Sequence, residues 1–419
     1  MAILVQSLNG WVLRPHSPTE EVYSRCIRWR RRGDTPEEVK CCFKKQYFQI
    51  SQSHYTVKVN GDDTIQKTGK AAKKRKRKHT ELNQGEIDAA AFHEKIRCVV
   101  LTGTQSLLDL ARALGHLSRT ANAASERLEF PDCGLAGLCD MAKELPLVDE
   151  EDPVCSQPLV TEAGDTSHLD LFSRVTENKM DRGVLVSLLG EEYVIPPHAS
   201  FLLSDLTRIQ PLVKDGKTFD LMVLDPPWEN KSVKRSRRYS CLPSSQLKQL
   251  PVPLLASPDC LVVTWVTNRP SHLRFVCEEL YPHWGVEVLA EWYWVKVTTA
   301  GEFVFPLDSP HKKPYEVLVL GRCRSSVSNT TRSEVESGRL IVSVPSTLHS
   351  QKPSLSDVLK PYVPAGASCL ELFARSLQPG WTSWGNEVLK FQHVSYFTQS
   401  APEDEGSGAA GCDPVGKPC

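Results

Sequence analysis

The chain has 419 residues, 40% of them hydrophobic and 24% charged, and its 50 basic side chains balance 50 acidic ones. That length suits about two domains, and zero net charge means that any affinity for nucleic acid must come from local basic patches, not from the field of the whole chain. No run of about 18 apolar residues exists to cross a membrane as a helix, the opening Met1-Ala2-Ile3-Leu4-Val5 is too short an apolar core for a secretory signal, and the 14 cysteines contain no C-x-x-C pair, which excludes zinc-ligand spacing and fits reduced thiols in an intracellular protein.

Residues 1–80 read as an N-terminal segment ending in a basic linker. Trp11, Trp29, Phe43, Tyr47, Phe48 and Tyr55 predict a folded or partner-bound stretch, and the arginines from Arg25 to Arg32 form either a basic face or a solvated one. The block Lys73-Lys74-Arg75-Lys76-Arg77-Lys78 is a tract of like charge, ordinarily solvated. It also has the composition of a nuclear-import signal or a nucleic-acid arm, so a nuclear protein is expected, with the cytoplasm as second compartment and a mitochondrial fraction as a further alternative.

Residues 81–195 read as an accessory domain of helices and a hairpin. Ile87, Ala90, Ala91, Ile96, Val99 and Val100 make one apolar stripe; Leu107, Leu108, Leu110, Ala111 and Leu114 make another, ended by Gly115. Residues 135–145 predict a third helix, 149–168 a loop, 169–175 a short helix, and 184–195 a hairpin around Gly190-Glu191-Glu192.

From about residue 196 the texture changes. Strand-like runs at 201–203, 219–224, 261–266, 286–297, 315–320, 340–344 and 368–373 alternate with helical patterns at 271–280 and 354–362. That rhythm predicts an α/β domain over 196–399, a mostly parallel sheet with helices on both faces. Residues 400–419 read as a disordered tail. Gly406, Gly408 and Gly411 match the dinucleotide-binding fingerprint there, but no strand precedes them and no helical pattern follows, so the match is discarded.

The chemistry is concentrated in Asp225-Pro226-Pro227-Trp228, which follows the apolar run 219–224. Proline cannot continue a sheet ladder, so the strand stops and leaves an acid and an indole at its carboxyl end. In open α/β sheets that is where ligands bind. The Asp225 carboxylate and the Pro226 carbonyl can accept both hydrogens of an amino group, and Trp228 offers a face for a base to stack on. The exocyclic amine of adenine needs such help, because its lone pair is delocalised into the ring. Two acceptors localise and aim it at an electrophilic methyl group. The bland alternative is a capped turn with a core tryptophan.

Leu224-Asp225-Pro226-Pro227-Trp228 with Asn230-Lys231-Ser232, Trp265-Val266-Thr267-Asn268-Arg269, Trp294-Val295-Lys296, Ser350-Gln351-Lys352-Pro353, Glu371-Leu372-Phe373-Ala374-Arg375 and Trp384-Gly385-Asn386-Glu387 resemble, in that order, the adenine-N6 methyltransferase family of the messenger-RNA adenosine methylase, over about residues 196–397. Residues 230–236 and 305–316, and more weakly Asn83-Gln84-Gly85-Glu86, resemble one branch of it. The resemblance implies a Rossmann-like methyltransferase fold with permuted motif order, the Asp225 turn first and the cofactor strand at 368–373 last. It implies S-adenosylmethionine as cofactor and no metal. Glu371, Phe373 and Arg375 then lie near the cofactor, Asn386 and Glu387 suit its ribose hydroxyls, Asp205 its adenine or amino end, and Lys352 its carboxylate. Each has a plain alternative as a cap or surface residue. Ser376 departs from the asparagine often found after the arginine, and serine reaches less far.

The target implied is adenosine or 2′-O-methyladenosine in RNA, small nuclear RNA being one type, with DNA as the alternative polymer and a non-catalytic RNA-binding scaffold as the alternative function. Asn230, Lys231, Lys234, Arg235, Arg237 and Arg238 follow the turn directly and read as a phosphate clamp or a solvated loop, with Tyr239 closing over substrate and Lys312 and Lys313 on an opposite lip. A duplex buries the adenine amine, so a single-stranded or flipped base is expected. The chain's own accessory domain is compatible with a monomer.

Overall fold

The computed structural model describes residues 2–14, 22–29, 33–53, 82–117, 134–145, 156–161, 164–229, 242–309, 312–324 and 333–401. The basic block 73–78, the segment 230–241 and the tail from 402, with its glycine motif, lie outside the described residues. In chain order the strands are β1 (Ile3–Ser7), β2 (Gly10–Leu13), β3 (Cys26–Arg28), β4 (Glu37–Phe43), β5 (Ser156–Pro158), β6 (Val175–Glu177), β7 (Val184–Leu188), β8 (Glu191–Ile195), β9 (Ser200–Leu202), β10 (Phe219–Leu224), β11 (Ala256–Val266), β12 (Val286–Lys296), β13 (Tyr315–Cys323), β14 (Leu340–Ser343), β15 (Cys369–Leu372), β16 (Trp381–Trp384) and β17 (Phe397–Ser400). One sheet has the order β1-β2-β14-β12-β13-β11-β10-β15-β16-β9-β6-β5, and a second has the order β17-β4-β3-β7-β8.

The middle of the larger sheet is parallel: β11, β10, β15, β16 and β9 run in one sense, and β13 lies antiparallel between β11 and β12. This is the Rossmann-like α/β architecture expected. The chain leaves β10 toward β11 on one side, whereas β15 leads to β16 on the other. The strand order therefore reverses between β10 and β15, where such sheets bind ligands.

Burial on both faces explains the unbroken apolar run of β10. Met222 and Leu224 belong to the same hydrophobic cluster as Val100, Leu107 and Leu108, while Leu221 and Val223 belong to a second cluster with Leu355, Val358, Leu359 and Tyr362. The first three belong to a single helix α1 (Gln84–Ala113), not two, opened by a capping box in which Glu86 N–H donates to Asn83 Oδ1 at 3.1 Å and Asn83 N–H to Glu86 Oε2 at 3.1 Å. At Gly103 a Cβ would lie 2.6 Å from Leu340 Cδ1, so the missing side chain lets α1 settle close against β14.

Strands from residues 1–80 and 81–195 thread into both sheets, so 80 and 195 are not breaks in hydrogen bonding. The β1–β2 hairpin extends the larger sheet beside β14, and β3 and β4 join the C-terminal β17 and the β7–β8 hairpin. That hairpin turns through Leu189 and Gly190, both left-handed (φ 56° and 85°), as a two-residue primed turn requires. The stretch 169–175, expected as a helix, is a turn in which Asp170 accepts from the Phe172 and Ser173 amides before β6 begins. The loop expected at 149–168 contains β5.

Candidate active site

Asp225 follows β10 directly. Its amide donates to the Leu372 carbonyl of β15 at 3.2 Å, and at the other end of the strand Asp220 accepts from Ser257 Oγ (2.8 Å) and the Ser368 amide (3.0 Å). β10 is thus pinned at both ends to its neighbours. Asp225 is buried, 8% exposed, with Oδ2 2.9 Å from Arg375 Nη1 and Oδ1 3.4 Å from Lys352 Nζ.

These contacts belong to a longer chain of alternating charge along the carboxyl rim of the sheet. Lys296 at the end of β12 pairs with Glu316 of β13, Glu316 Oε2 lies 2.9 Å from Lys352, and beyond Asp225 the Arg375 Nε lies 3.4 Å from Glu387, which Lys390 approaches to 2.7 Å. Each internal member touches opposite charge on both sides, the condition under which semi-buried ions are tolerated. Burial alone raises the Glu316 carboxyl, but Lys296 and Lys352 reverse that and hold it down at about 2. Burial likewise works against the Lys352 ammonium, yet Asp225 and Glu316 outweigh it and raise its pKa. Lys352 also sits 5.4 Å over the Trp265 ring.

Asp225, Lys352, Glu371, Phe373, Arg375 and Ser376 line one cleft. Glu371 faces it from β15 and accepts from Gln378 Nε2 at 3.2 Å. Its carboxyl is pushed up to about 7, chiefly by burial and with Asp225 adding, against the pull of Gln378 and Arg375. Phe373 adopts a left-handed φ of 61° and meets Trp384 edge-on at 5.1 Å, while the next amide, Ala374, donates to the Trp384 carbonyl at 2.9 Å. These contacts fix the loop that carries Arg375.

The remaining expected cofactor residues lie outside this lining. Glu387 reaches it through Arg375, and Asn386 precedes Glu387, its carbonyl accepting from Cys139 Sγ at 3.6 Å. Asp205 is occupied locally. It caps the turn at Leu206 by accepting from Thr207 N–H (3.0 Å) and Oγ1 (2.7 Å), and it pairs with Lys143 at 2.6 Å. The plain alternative for Asp205 describes these contacts.

Trp228 corrects another expectation. Its indole is 5% exposed, His272 stacks on it at 4.8 Å and 19°, and its N–H donates to the Trp265 carbonyl at 2.8 Å. It is a pinned ring, not an open platform. Its backbone N–H donates to the Pro226 carbonyl at 2.8 Å, leaving that oxygen one lone pair.

Asn230, Lys231, Lys234, Arg235, Arg237, Arg238 and Tyr239 lie outside the described residues. Lys313 donates to the Leu307 carbonyl at 3.3 Å, and burial lowers its pKa; Lys312 is exposed, 5.2 Å over Phe305. Their loop is anchored to α1. Asp308 accepts from Arg97 through both oxygens (2.8 and 2.9 Å) and lies 3.1 Å from His93 Nε2, whose Nδ1 is 2.9 Å from Tyr315 Oη. Removing the anchor with Asp308→Ala is expected to loosen the lip without unfolding the chain, read as roughly tenfold faster tryptic cleavage after Lys312. An unchanged cleavage rate would show that the lip holds itself.

Sequence reasoning gave no role to Lys296, Glu316 or His272, nor to Phe43 and Phe48, which also line the cleft. The Thr347 amide donates to the Tyr47 carbonyl at 2.7 Å and that of Thr299 to Ile50 at 2.8 Å, so residues 47–50 strap the loop leading to Lys352. Trp294-Val295-Lys296 and the acid after Pro314-Tyr315 were the available signals. Among the described residues no cluster could hold a metal ion and no helix is long and apolar enough to cross a membrane.

The MT-A70 family model matches residues 219–387, from β10 through Glu387. The N(6)-adenine-specific methyltransferase METTL4 of Homo sapiens is 53% identical over 336 residues, covering 78% of this chain and 71% of its own length. The N6-methyladenosine RNA methyltransferase MTA1 of Pyricularia oryzae is 36% identical, covering 52% of this chain and 60% of its own, and a DNA N6-methyl methyltransferase of Caenorhabditis elegans is 35% identical, covering 52% and 59%. With an acid-Pro-Pro-Trp turn at the reversal of strand order, and likeness spanning most of both chains, the protein belongs to the MT-A70 family and is an adenine-N6 methyltransferase.

Proposed function

We propose that this chain transfers the methyl group of S-adenosylmethionine to the N6 amine of adenine in RNA. The observation that carries the reading is the Asp225 carboxylate, fixed between Arg375 and Lys352 in a cleft beside β15. The cleft suits the cofactor. Gln351 Oε1 lines it, buried and with no protein hydrogen-bond partner, and so is an acceptor available to a ligand donor. Lys352 and Arg375 suit a carboxylate; Glu387, with Asn386 beside it, suits ribose hydroxyls. When bound, S-adenosylmethionine supplies an electrophilic methyl group on a cationic sulfur. Asp225 accepts one N6 hydrogen, and the remaining lone pair of the Pro226 carbonyl accepts the other. The amine lone pair is thereby localised and aimed, and positioning carries most of the rate.

RNA is supported by the RNA methyltransferase activity for which the Pyricularia relative is named and by the basic residues Lys231 to Arg238 after the turn, which suit a phosphate backbone. The Caenorhabditis relative supports DNA as the second reading. On this reading the protein works as a monomer in the nucleus, directed there by the block 73–78. The test offers the full chain oligoribonucleotides containing adenosine or 2′-O-methyladenosine, and the matching deoxy-oligonucleotide, followed by nucleoside mass spectrometry. N6-methylation of the RNA is expected. Methylation of deoxyadenosine alone overturns the RNA half, and absence of cofactor binding by calorimetry overturns the cofactor half.

A further inference from the structure

Trp228 is held by more than its own turn. The end of β11 and the residues after it grip the Asp225–Trp228 stretch at several points. The Trp265 carbonyl takes the indole N–H at 2.8 Å, Arg269 Nη1 donates to the Glu229 carbonyl at 3.4 Å, and His272 lies flat against the indole. His272 is itself fixed. It is 6% exposed, and its Nδ1 lies 2.8 Å from Thr267 Oγ1.

From this arrangement we infer that His272, oriented by Thr267, is a positioning residue for methyl transfer: it sets the plane of Trp228 and, through the Trp228 N–H, the direction of the Pro226 carbonyl. The chain of contact is short. The Trp228 amide donates to the Pro226 oxygen at 2.8 Å, and the indole, held by His272 and the Trp265 carbonyl, anchors the Trp228 Cα that carries this amide, so a displaced indole shifts the backbone that orients that carbonyl. A carbonyl locked by one N–H presents its second lone pair in one direction, which an acceptor for the amine requires. Burial, with Arg269 adding, lowers the His272 pKa to about 4, so the imidazole packs as a neutral aromatic ring across the ordinary working range. Ring shape, not charge, is then the property the site uses. The inference rests on the role given above to the Asp225–Trp228 turn.

The test compares His272→Ala, His272→Leu and His272→Phe in the full chain. With a misaimed acceptor, Ala and Leu are expected to lower kcat by about 30-fold, with KM for the oligonucleotide and the cofactor Kd each within about threefold of wild type. Phe restores the flat ring without the Thr267 contact and is expected to recover most of the lost kcat. If Ala fails to fold, the Leu and Phe pair decides, since both fill the site. A second readout does not depend on turnover. With 5-fluorotryptophan incorporated, the fluorine line assigned to Trp228 by its loss in Trp228→Phe should be sharp in wild type and His272→Phe, and broadened or shifted in His272→Leu. Kinetics are run on ribo- and deoxyribo-oligonucleotides in parallel, so the effect is read on whichever polymer the wild type methylates and a failure of the RNA reading remains separate. The inference is overturned if Leu keeps kcat within about threefold, if Phe is as slow as Leu, or if the Trp228 line is the same in all variants.

Discussion

Asp225→Asn is expected to lower kcat by about 10³-fold while the chain stays folded. The substitution keeps the shape and one acceptor but replaces a carboxylate oxygen with an N–H₂ group, which repels the N6 hydrogens instead of accepting them. The fold survives because neither neighbouring cation is left without an anion: Lys352 still has Glu316 at 2.9 Å and Arg375 still has Glu387 at 3.4 Å. Loss of one partner from a satisfied network, not from an isolated pair, is expected to cost about 1–3 kcal/mol of stability. Turnover measured by nucleoside mass spectrometry and a thermal melt of the same preparation separate the two effects. Retention of more than about a tenth of wild-type kcat would remove Asp225 from the chemistry. A collapse of the melt would show instead that it holds the rim of the sheet together.

That network also shows why the site was only half legible in the sequence. β10 and Asp225 were readable because local signals agree: an apolar run fit for a strand covered on both faces, then two prolines that must end it. The loop from Glu371 to Arg375 was readable for the same reason and through its resemblance. Lys296 and Glu316 gave no such signal. A charge on a strand end earns its meaning only from a partner on another strand, and periodicity reports burial without naming what buries. The N-terminal segment fails for the same physical cause. Gly10 pairs with Leu340 and Phe43 with Phe397, so these strands are stabilised by residues at the far end of the chain. Trp228 misled because an aromatic at a strand's carboxyl end looks like a platform, until His272 is found lying on it. Asp205 accepts from Thr207 as a local cap, a contact compatible both with its expected place near the cofactor and with its plain alternative.

Glu371 carries the second large effect, and its sign follows from where its proton is held. The carboxyl has an ordinary value of 4.5 and about 7 in the folded chain, with burial as the main cause and Asp225 adding. Below pH 4.5 it is protonated in both states and favours neither. Between 4.5 and 7 the unfolded chain releases the proton while the folded chain keeps it, so stability falls as pH rises through this window. Above pH 7 the folded state carries a carboxylate in a partly buried position whose polar partner is Gln378. A shift of that size corresponds to about 3–4 kcal/mol. Glu371→Gln keeps the shape, cannot ionise and is expected to raise the melting temperature by roughly 3–6 °C at pH 8 and to leave it unchanged at pH 4.5. The groups facing Glu371 constrain the reading. Arg375 and the Gln378 amide favour its charged form, Asp225 opposes it, and each remains in the variant. Melts of wild type and Glu371→Gln across pH 4.5–8 should therefore converge at the acid end and diverge above neutrality. Parallel curves would show that the carboxyl titrates normally. A destabilised variant at pH 8 would show that the carboxylate is a net asset to the folded chain. If the expected divergence appears, the cleft keeps an acid that weakens the fold near neutral pH, the pattern expected where a group is retained for what it does to a bound ligand and not for packing.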